Sequence, residues 1–204
     1  MKQTLTMMES EGDAWFWRNE EQLGMQDPVS KTIQFLRLFP QSALEVGCAN
    51  GWRLKRLRDI YDCNIAGVDP SPAAVAAANE PTIKRGIAQS LPFAGRSFDM
   101  VIYGFCLYLC EPQHLFTIAQ EGDRVLKDLG YLIVHDFADD KPPFSRKYEH
   151  REGVLAYHMD YARLWLGHPW YRRIMRKSFP TGAVTVLQKR TGGAFPLVDN
   201  EVHE

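Results

Sequence analysis

The feature that most constrains this chain is a short apolar run that leads directly into a glycine turn. Residues 43–46 have the composition of a buried strand, and Gly47 and Gly51 bracket the turn that follows. Glycine lets the backbone pass close to a ligand at the first position and enter a helix tightly at the second. The spacing differs from the G-x-G-x-x-G of dinucleotide sites, so the turn by itself indicates only a nucleotide site of unspecified kind.

Short apolar runs alternate with helical patterns, which is typical of βαβ units and of a parallel sheet covered on both faces. Two final strands, 170–178 and 183–189, are predicted on either side of a turn at 180–182. The expected fold is α/β: a Rossmann-like, doubly wound, seven-stranded and mostly parallel sheet with an insertion after the fifth strand. The earlier strands are predicted near 42–47, 64–69, 82–86, 98–104 and 130–137, and helices over 52–60, 72–79 and 112–127.

The chain length suits a single domain. Its 204 residues and 23.4 kDa are enough to bury a full core. No apolar run approaches the roughly 20 residues that span a bilayer, and the N-terminus lacks the apolar core of a signal peptide. A cytoplasmic protein with no membrane partner is therefore expected.

An acid stands at the end of the second predicted strand. Residues 65–69 end in Asp69, 18 residues after Gly51. A carboxylate at this place can accept hydrogen bonds from both hydroxyls of a ribose, because ligands of open α/β sheets lie beyond the carboxyl ends of the strands. The position of Asp69 thus indicates that the ligand at the glycine turn contains a ribose.

With both motifs in place, the chain resembles the class I S-adenosylmethionine-dependent methyltransferases of the small-molecule type. The resemblance covers about residues 40–137, with its motifs in the expected order. The matching motifs are Glu45-Val46-Gly47-Cys48-Ala49-Asn50-Gly51, Gly67-Val68-Asp69-Pro70-Ser71, Leu91-Pro92-Phe93, Ser97-Phe98-Asp99-Met100-Val101 and Arg124-Val125-Leu126-Lys127.

The resemblance implies S-adenosylmethionine as cofactor and S-adenosylhomocysteine as product. It implies that Glu45 anchors the glycine turn through its carboxylate, and that Asp69 holds the ribose. Other cofactor contacts are implied, by group, as follows: Gly47, Cys48, Asn50 and Gly51 in the turn; Pro70 and Ser71 beside the adenine; Ala88, Gln89 and Ser90 at its polar edge; Gly104 and Phe105 along the methionine arm.

The chain departs from the family pattern at two positions. Ala49 replaces a common glycine, which is tolerable if its φ is negative. Ile87 stands where an acid often contacts the adenine amino group, so the backbone N–H of Ala88, with Gln89 or Ser90, is expected to serve adenine instead.

Methyl transfer from a sulfonium is an in-line displacement, so alignment and exclusion of water do much of the work. A positioned base would help a hydroxyl or carboxyl acceptor. His135 and Asp136 close the fifth strand, and strand alternation should turn one of them into the pocket, although a structural hydrogen bond is an equal alternative. Tyr108 and His158 are further catalytic candidates, with packing as the alternative.

The insertion 138–169 is predicted to choose the acceptor. The net charge of −1 argues against broad nucleic-acid binding, yet residues 141–190 hold 11 Lys and Arg against 3 Asp and Glu. Because Arg binds carboxylates and phosphates bidentately, this surplus suggests an anionic acceptor, with a solvated face as the alternative. The predicted substrate contacts are Arg151, Tyr157 and Arg163.

No metal site is predicted. Cys106, Cys110 and His114 share a face if their segment is helical, but a fourth zinc ligand is missing nearby. His150, His158 and Asp160 lack the acidic cluster typical of metal-dependent catechol methyltransferases. Four unevenly spaced cysteines indicate buried thiols rather than a disulfide framework.

One methyltransferase domain is expected over 1–204. Three aromatics within 15–17 and an amphipathic helix at 29–39 precede the sheet, and they predict either a core-capping helix or a lid. The predicted parts are cap or lid helices over 1–40, the cofactor-binding core over 41–137, the insertion over 138–169, a final strand pair over 170–190 and a loose tail over 191–204.

The leading hypothesis is O-methylation of a small anionic or sugar-like acceptor by a monomer or homodimer. A protein methyltransferase and a catalytically inactive, cofactor-binding partner subunit remain alternatives. Residues 103–106 lack the Asn/Asp-Pro-Pro-aromatic element that holds the amino group of a base, so no nucleic-acid partner is expected. A dinucleotide dehydrogenase is disfavoured by the glycine spacing.

Overall fold

A computed structural model describes residues 2–138, 141–180 and 182–192. The chain forms seven α-helices and nine strands within these ranges. The helices are α1 (Lys2–Thr6), α2 (Gly12–Asn19), α3 (Pro28–Phe35), α4 (Trp52–Tyr61), α5 (Pro72–Ala78), α6 (Leu115–Val125) and α7 (Arg163–Leu166). The strands are β1 (Ser42–Val46), β2 (Asn64–Asp69), β3 (Ile83–Arg85), β4 (Phe98–Gly104), β5 (Leu126–Asp136), β6 (Phe144–Lys147), β7 (Leu155–His158), β8 (Tyr171–Phe179) and β9 (Gly182–Lys189).

Seven strands form one sheet in the order β3-β2-β1-β4-β5-β9-β8. Strands β1 to β5 are parallel to one another, and β9 runs antiparallel to both β5 and β8. The predicted seven-stranded, mostly parallel sheet is confirmed. The carboxyl ends of β1, β2, β4 and β5 consequently meet at one edge, which is where an open α/β sheet binds its ligand.

Helices cover both faces of the sheet, as the continuous apolar runs predict. One apolar cluster packs α3 and α4 against the sheet through residues such as Ile33 and Leu57, and the other packs α6 and α7 through Ile118 and Trp165. All five residues of β1 are buried. Burial on both faces holds the strand ends rigidly at the ligand edge.

Two predicted helices are too long. The helix predicted over 112–127 ends at Val125, because Leu126 already pairs with Phe98 and opens β5. The helix predicted over 29–39 ends at Phe35, since Arg37 takes a φ of +52° just before Pro40. Tertiary strand pairing and a left-handed residue override the helical pattern at these ends.

The insertion is more regular than its sequence suggests. Strands β6 and β7 form an antiparallel hairpin, and α7 follows it. Of the predicted tail, only Thr191 and Gly192 fall in the described ranges, and 193–204 lie outside them. None of the described helices has the length and apolar character needed to cross a membrane.

The N-terminal segment, Lys2–Asn19, is helical throughout. A π-helical turn, Met7–Glu11, joins α1 to α2. The side-chain amide of Gln3 donates to the carbonyls of Leu109 (2.8 Å) and Leu155 (2.9 Å) and accepts from the Leu155 N–H (3.0 Å). These bonds tie the start of the chain to the loop after β4 and to the insertion hairpin.

Candidate active site

A cavity of about 100 Å³ lies at the carboxyl ends of β1 and β2. Its floor is the glycine turn and the end of β2, and its far wall is the first residue after β4. The N-terminal segment lines another side of it through Thr4, Met7, Gly12 and Trp15. The predicted cofactor residues that line it are Gly47, Asp69, Pro70, Ala88, Gln89 and Phe105.

The glycine turn depends on two left-handed glycines. Gly47 and Gly51 have φ values of +73° and +70°, and a Cβ on either would overlap Cys106 or Ile83, respectively. Ala49, between them, also has a positive φ, +49°, so the negative φ that would make this alanine tolerable is not present. An L-residue in this region costs about 1–2 kcal/mol.

The carboxylate of Asp69 holds the turn. It accepts hydrogen bonds from the N–H groups of Ala49 (2.8 Å) and Ser71 (2.9 Å), and the residue is buried. Burial raises the pKa of Asp69 to about 6, although both N–H groups favour the charged form. The acid therefore faces the cavity from the position where a ribose is expected.

Glu45 acts on the helix after the turn rather than on the turn itself. Its carboxylate Oε1 pairs with the guanidinium of Arg53 on α4, and Arg53 also donates to Asp27 Oδ1 at 3.0 Å. Burial raises the pKa of Glu45 to about 7. A Cβ on Gly104 would approach this pair to within 2.7 Å, so that glycine provides space for the ion pair instead of lining the cavity.

Most of the other predicted cofactor residues lie outside the lining of this cavity. Ser71 caps α5 through the N–H of Ala74 (3.0 Å) and bonds to Asp13 of α2 (2.5 Å). Gln89, which does line the cavity, donates to Thr4 Oγ1 at 3.1 Å. The residues outside the lining are Glu45, Cys48, Asn50, Gly51, Ser71, Ser90 and Gly104.

A second cavity, of about 1230 Å³, adjoins the first at the same sheet edge. Phe105 lines both cavities. The second cavity lies between the start of α3 and the end of β8, and its basic lining residues are Lys31, Arg176 and Lys177. No local motif in the sequence predicts this cavity, because its walls come from segments as far apart as α3 and the end of β8.

His135 faces this second cavity. Its ring lies edge-on to Phe105, with centroids 4.7 Å apart, and its Nδ1 has no hydrogen-bond partner within the described ranges. Burial, followed by the positive charge of Arg53, lowers the pKa of His135 to about 4. The imidazole is consequently neutral at pH 7 and a weak base.

Asp136 points to the opposite face and is fully engaged. Its carboxylate accepts from the N–H groups of Leu107 (2.9 Å), Tyr108 (3.4 Å) and Phe137 (2.8 Å), while burial raises its pKa to about 7. The carboxylate thus fixes the loop after β4 and lines neither cavity.

The other two catalytic candidates sit in an aromatic cluster. Tyr108 packs edge-on against Phe105 (6.0 Å) and Phe137 (5.3 Å), and burial raises its pKa above the ordinary range. His158 is stacked between Phe137 (4.1 Å) and Phe144 (4.7 Å). Both side chains belong to the packing that supports Phe105.

The predicted substrate contacts line neither cavity. Arg151 is exposed in the turn between β6 and β7, and Arg163 is exposed at the start of α7. The carbonyl of Tyr157 accepts a hydrogen bond from the Tyr161 hydroxyl at 2.8 Å. The described residues contain no cluster of His, Cys, Asp and Glu able to hold a metal.

Residues 44–134 match the protein family described as "Methyltransferase domain". Residues 44–134 are thus a class I S-adenosylmethionine-dependent methyltransferase domain. S-adenosylmethionine is the cofactor of this domain, so the predicted family, enzyme class and cofactor are confirmed. The residues fit the cofactor, because the backbone of Gly47 and the buried carboxylate of Asp69, at the expected ribose position, line the same cavity.

Two curated relatives are similar to about half of this chain. Malonyl-(acyl-carrier protein) O-methyltransferase 1 of Coxiella burnetii is 31% identical over 108 residues, covering 52% of this chain and 37% of the relative. The malonyl-(acyl-carrier protein) O-methyltransferase of Hahella chejuensis is 31% identical over 120 residues, covering 54% of this chain and 42% of the relative. The chain thus spans about two fifths of the length of these relatives.

Solved structures share the fold at low identity. The 1,6-didemethyltoxoflavin-N1-methyltransferase of Burkholderia thailandensis has a TM-score of 0.69 at 16% identity, covering 91% of this chain and 85% of that one. A methyltransferase of Methanosarcina mazei has a TM-score of 0.60 at 18% identity, covering 81% and 98%. These similarities establish the architecture of the methyltransferase domain.

Proposed function

We propose that this protein transfers the methyl group of S-adenosylmethionine to an oxygen of a small anionic acceptor, and that this oxygen belongs to a carboxylate. One observation carries the proposal: the cavity next to the cofactor cavity is basic, but none of its described lining residues is a strong base beside the shared wall, Phe105. Methyl transfer is the chemistry that the bound cofactor supplies.

The acid–base properties of the wall favour an acceptor that is already ionised. His135 has a pKa of about 4, and Asp136, on the other face, is engaged by three backbone N–H groups. A hydroxyl acceptor needs a base to take its proton, whereas a carboxylate carries none at neutral pH. A carboxylate is therefore the acceptor that this wall suits best.

Bonds and charges balance without a proton transfer. The acceptor oxygen forms the new C–O bond to the methyl carbon, and sulfur keeps the electron pair of the C–S bond that breaks. The products are a neutral methyl ester and S-adenosylhomocysteine. The chain contributes alignment and exclusion of water, which are the main requirements of an in-line displacement.

Each part of the site has a proposed task. Gly47 and Asp69 hold the methionine and ribose portions, and the N–H of Ala88 serves the adenine. Phe105 keeps water from the space between the two ligands. His135 offers a neutral ring whose burial makes the surroundings less polar, so a carboxylate there loses hydration and becomes a better nucleophile.

The relatives support an oxygen acceptor. Both curated relatives are named as O-methyltransferases of malonyl-(acyl-carrier protein). In this chain, Arg151, Tyr157 and Arg163 line neither cavity, so the proposal gives the main role in acceptor binding to the second cavity rather than to the insertion.

The test is a turnover assay with a product-specific readout. The protein is incubated with S-adenosylmethionine and a panel of aliphatic and aromatic carboxylic acids, matched alcohols and matched amines, and S-adenosylhomocysteine is measured. A methyl ester releases methanol in alkali, whereas methyl ethers and methylamines do not. Alkali-labile product from the acids supports the proposal, and alkali-stable product from the alcohols or amines refutes it.

Asp69→Ala serves as the control for the cofactor site. It should abolish turnover of every acceptor by removing the proposed ribose contact. The same assay is repeated with a peptide library as acceptor. Tight binding of S-adenosylmethionine with no turnover of any panel member or any peptide would instead establish a cofactor-binding protein without this activity.

A further inference from the structure

The second cavity is lined by both cationic and apolar side chains. Its apolar lining is contributed by Phe35 of α3, Phe105, and Met175 and Phe179 of β8. A volume of about 1230 Å³ exceeds the usual range of small-molecule pockets, about 300–1,000 Å³. The cavity therefore has room for an acceptor with an extended apolar body, well beyond the group that reacts.

Two cationic side chains at this cavity have no ionic partner among the described residues. Lys31 and Lys177 are exposed, and neither takes part in an ion pair with any residue that the structure describes. The ammonium of Lys177 lies 5.6 Å from the centroid of Phe179, which places it at the apolar wall.

The remaining charged groups at the cavity already have partners. The Asp27 carboxylate is paired with Arg53 (3.0 Å) and Arg56 (3.3 Å). Arg176 pairs with Asp160 at 3.3 Å and donates to the Ala138 carbonyl at 2.9 Å. The unpaired charge of the described lining is consequently positive, and it comes from Lys31 and Lys177.

The lysines and the reacting edge belong to different parts of the lining. Lys31 projects from α3 and Lys177 from β8, whereas Phe105 and His135 form the wall next to the cofactor cavity. An anion held by the lysines is thus a second group of the acceptor, separate from the oxygen that receives the methyl group.

We propose that the second cavity is the acceptor site and that Lys31 and Lys177 anchor a second anionic group of an amphipathic, dianionic acceptor. The apolar body lies along Phe35, Met175 and Phe179, and the other acidic end reaches Phe105. This inference rests on the proposed function, because it assumes that the acceptor approaches the cofactor from this side. The product is a monoester that keeps its anchoring charge.

The test measures binding without requiring turnover. The protein saturated with S-adenosylhomocysteine is titrated in a calorimeter with dodecanedioate, a long dicarboxylate, and with dodecanoate, its monocarboxylate of equal length. The variants are Lys31→Gln, Lys177→Gln and the double variant. Lys147→Gln is the matched control, because Lys147 is exposed on β6 and lines neither cavity.

The expected result is a selective loss. Wild type and Lys147→Gln should bind the dicarboxylate more tightly than the monocarboxylate, and the double variant should lose this preference, with the dicarboxylate weakened by about tenfold, a size typical of two partly exposed charge-assisted bonds. Equal affinities of wild type for the two probes, absent binding of both, or an unchanged preference in the double variant would overturn the anchor.

Turnover separates this inference from the function on which it rests. Lysine-dependent binding of the dicarboxylate without methyl ester formation would refute the proposed function while leaving the anion site intact. Ester formation with a KM that is the same in wild type and in the double variant would refute the anchor while leaving the proposed function intact.

Discussion

Replacing Gly51 by alanine should destabilise the protein by about 2–5 kcal/mol. The estimate has two sources. A non-glycine residue at φ +70° costs about 1–2 kcal/mol, and the new Cβ would overlap the Cδ1 atom of Ile83 on β3, a packing conflict worth about 1–3 kcal/mol. Urea unfolding followed by circular dichroism at 25 °C, without cofactor, measures the change in the free energy of unfolding.

A second substitution separates the two sources. Ile83→Val removes the overlapped Cδ1 atom and by itself costs about 0.5–1.5 kcal/mol. The double variant should be more stable than the sum of the single changes predicts, by about 1 kcal/mol or more, because the conflict disappears while the backbone strain remains. Strictly additive effects would refute the packing argument, and a cost of Gly51→Ala below about 1 kcal/mol would refute both.

Three further changes test the same site. Ala49→Gly should raise the free energy of unfolding by up to about 1 kcal/mol, because it relieves the backbone strain at a φ of +49°. Ala76→Gly in α5 is the control and should lower the free energy of unfolding. Thermal melts of the two variants measure both changes. The affinity for S-adenosylmethionine should increase as the pH rises through about 6, where Asp69 ionises, and Asp69→Asn should flatten this profile in calorimetry. In the free protein the sign is reversed: the folded pKa of Asp69 lies above its ordinary 3.8, so its contribution to stability falls as the pH rises from about 4 to about 6, and urea titrations of wild type and Asp69→Asn should diverge there. Gln3→Ala should speed amide exchange across residues 2–19 by about tenfold and speed cofactor release, because three hydrogen bonds to Leu109 and Leu155 are lost; unchanged exchange would show that these bonds do not hold the segment closed.

The sheet could be predicted from the sequence because its signals are local. Each central strand is a short apolar run next to a turn, and Gly47, Gly51 and Asp69 sit at strand ends where parallel topology brings them together. The end of α6 could not be predicted in this way, since the pairing of Leu126 with Phe98 is a tertiary contact that no helical pattern contains.

The lining of the two cavities was the harder part to predict. Thr4 and Met7 reach the cofactor cavity from a segment that lies more than 30 residues before the first strand. Lys31 and Lys177 line one cavity although they are far apart in the sequence. The basic surplus of 141–190 includes Lys177, but composition does not tell which of the basic residues line a cavity. Arg151 and Arg163 illustrate this, since both are exposed outside the linings.

The position of Phe105 limits how this protein can acquire new specificities. The residue takes a φ of +55° and lines both cavities, so a smaller side chain there would join the two compartments and disturb the cofactor together with the acceptor. Substitutions that change the acceptor are therefore expected to leave Phe105 unchanged. They should accumulate instead on α3 and β8, which line the second cavity but not the cofactor cavity. A directed-evolution library confined to those two elements would vary the proposed acceptor site and leave the lining of the cofactor cavity unchanged.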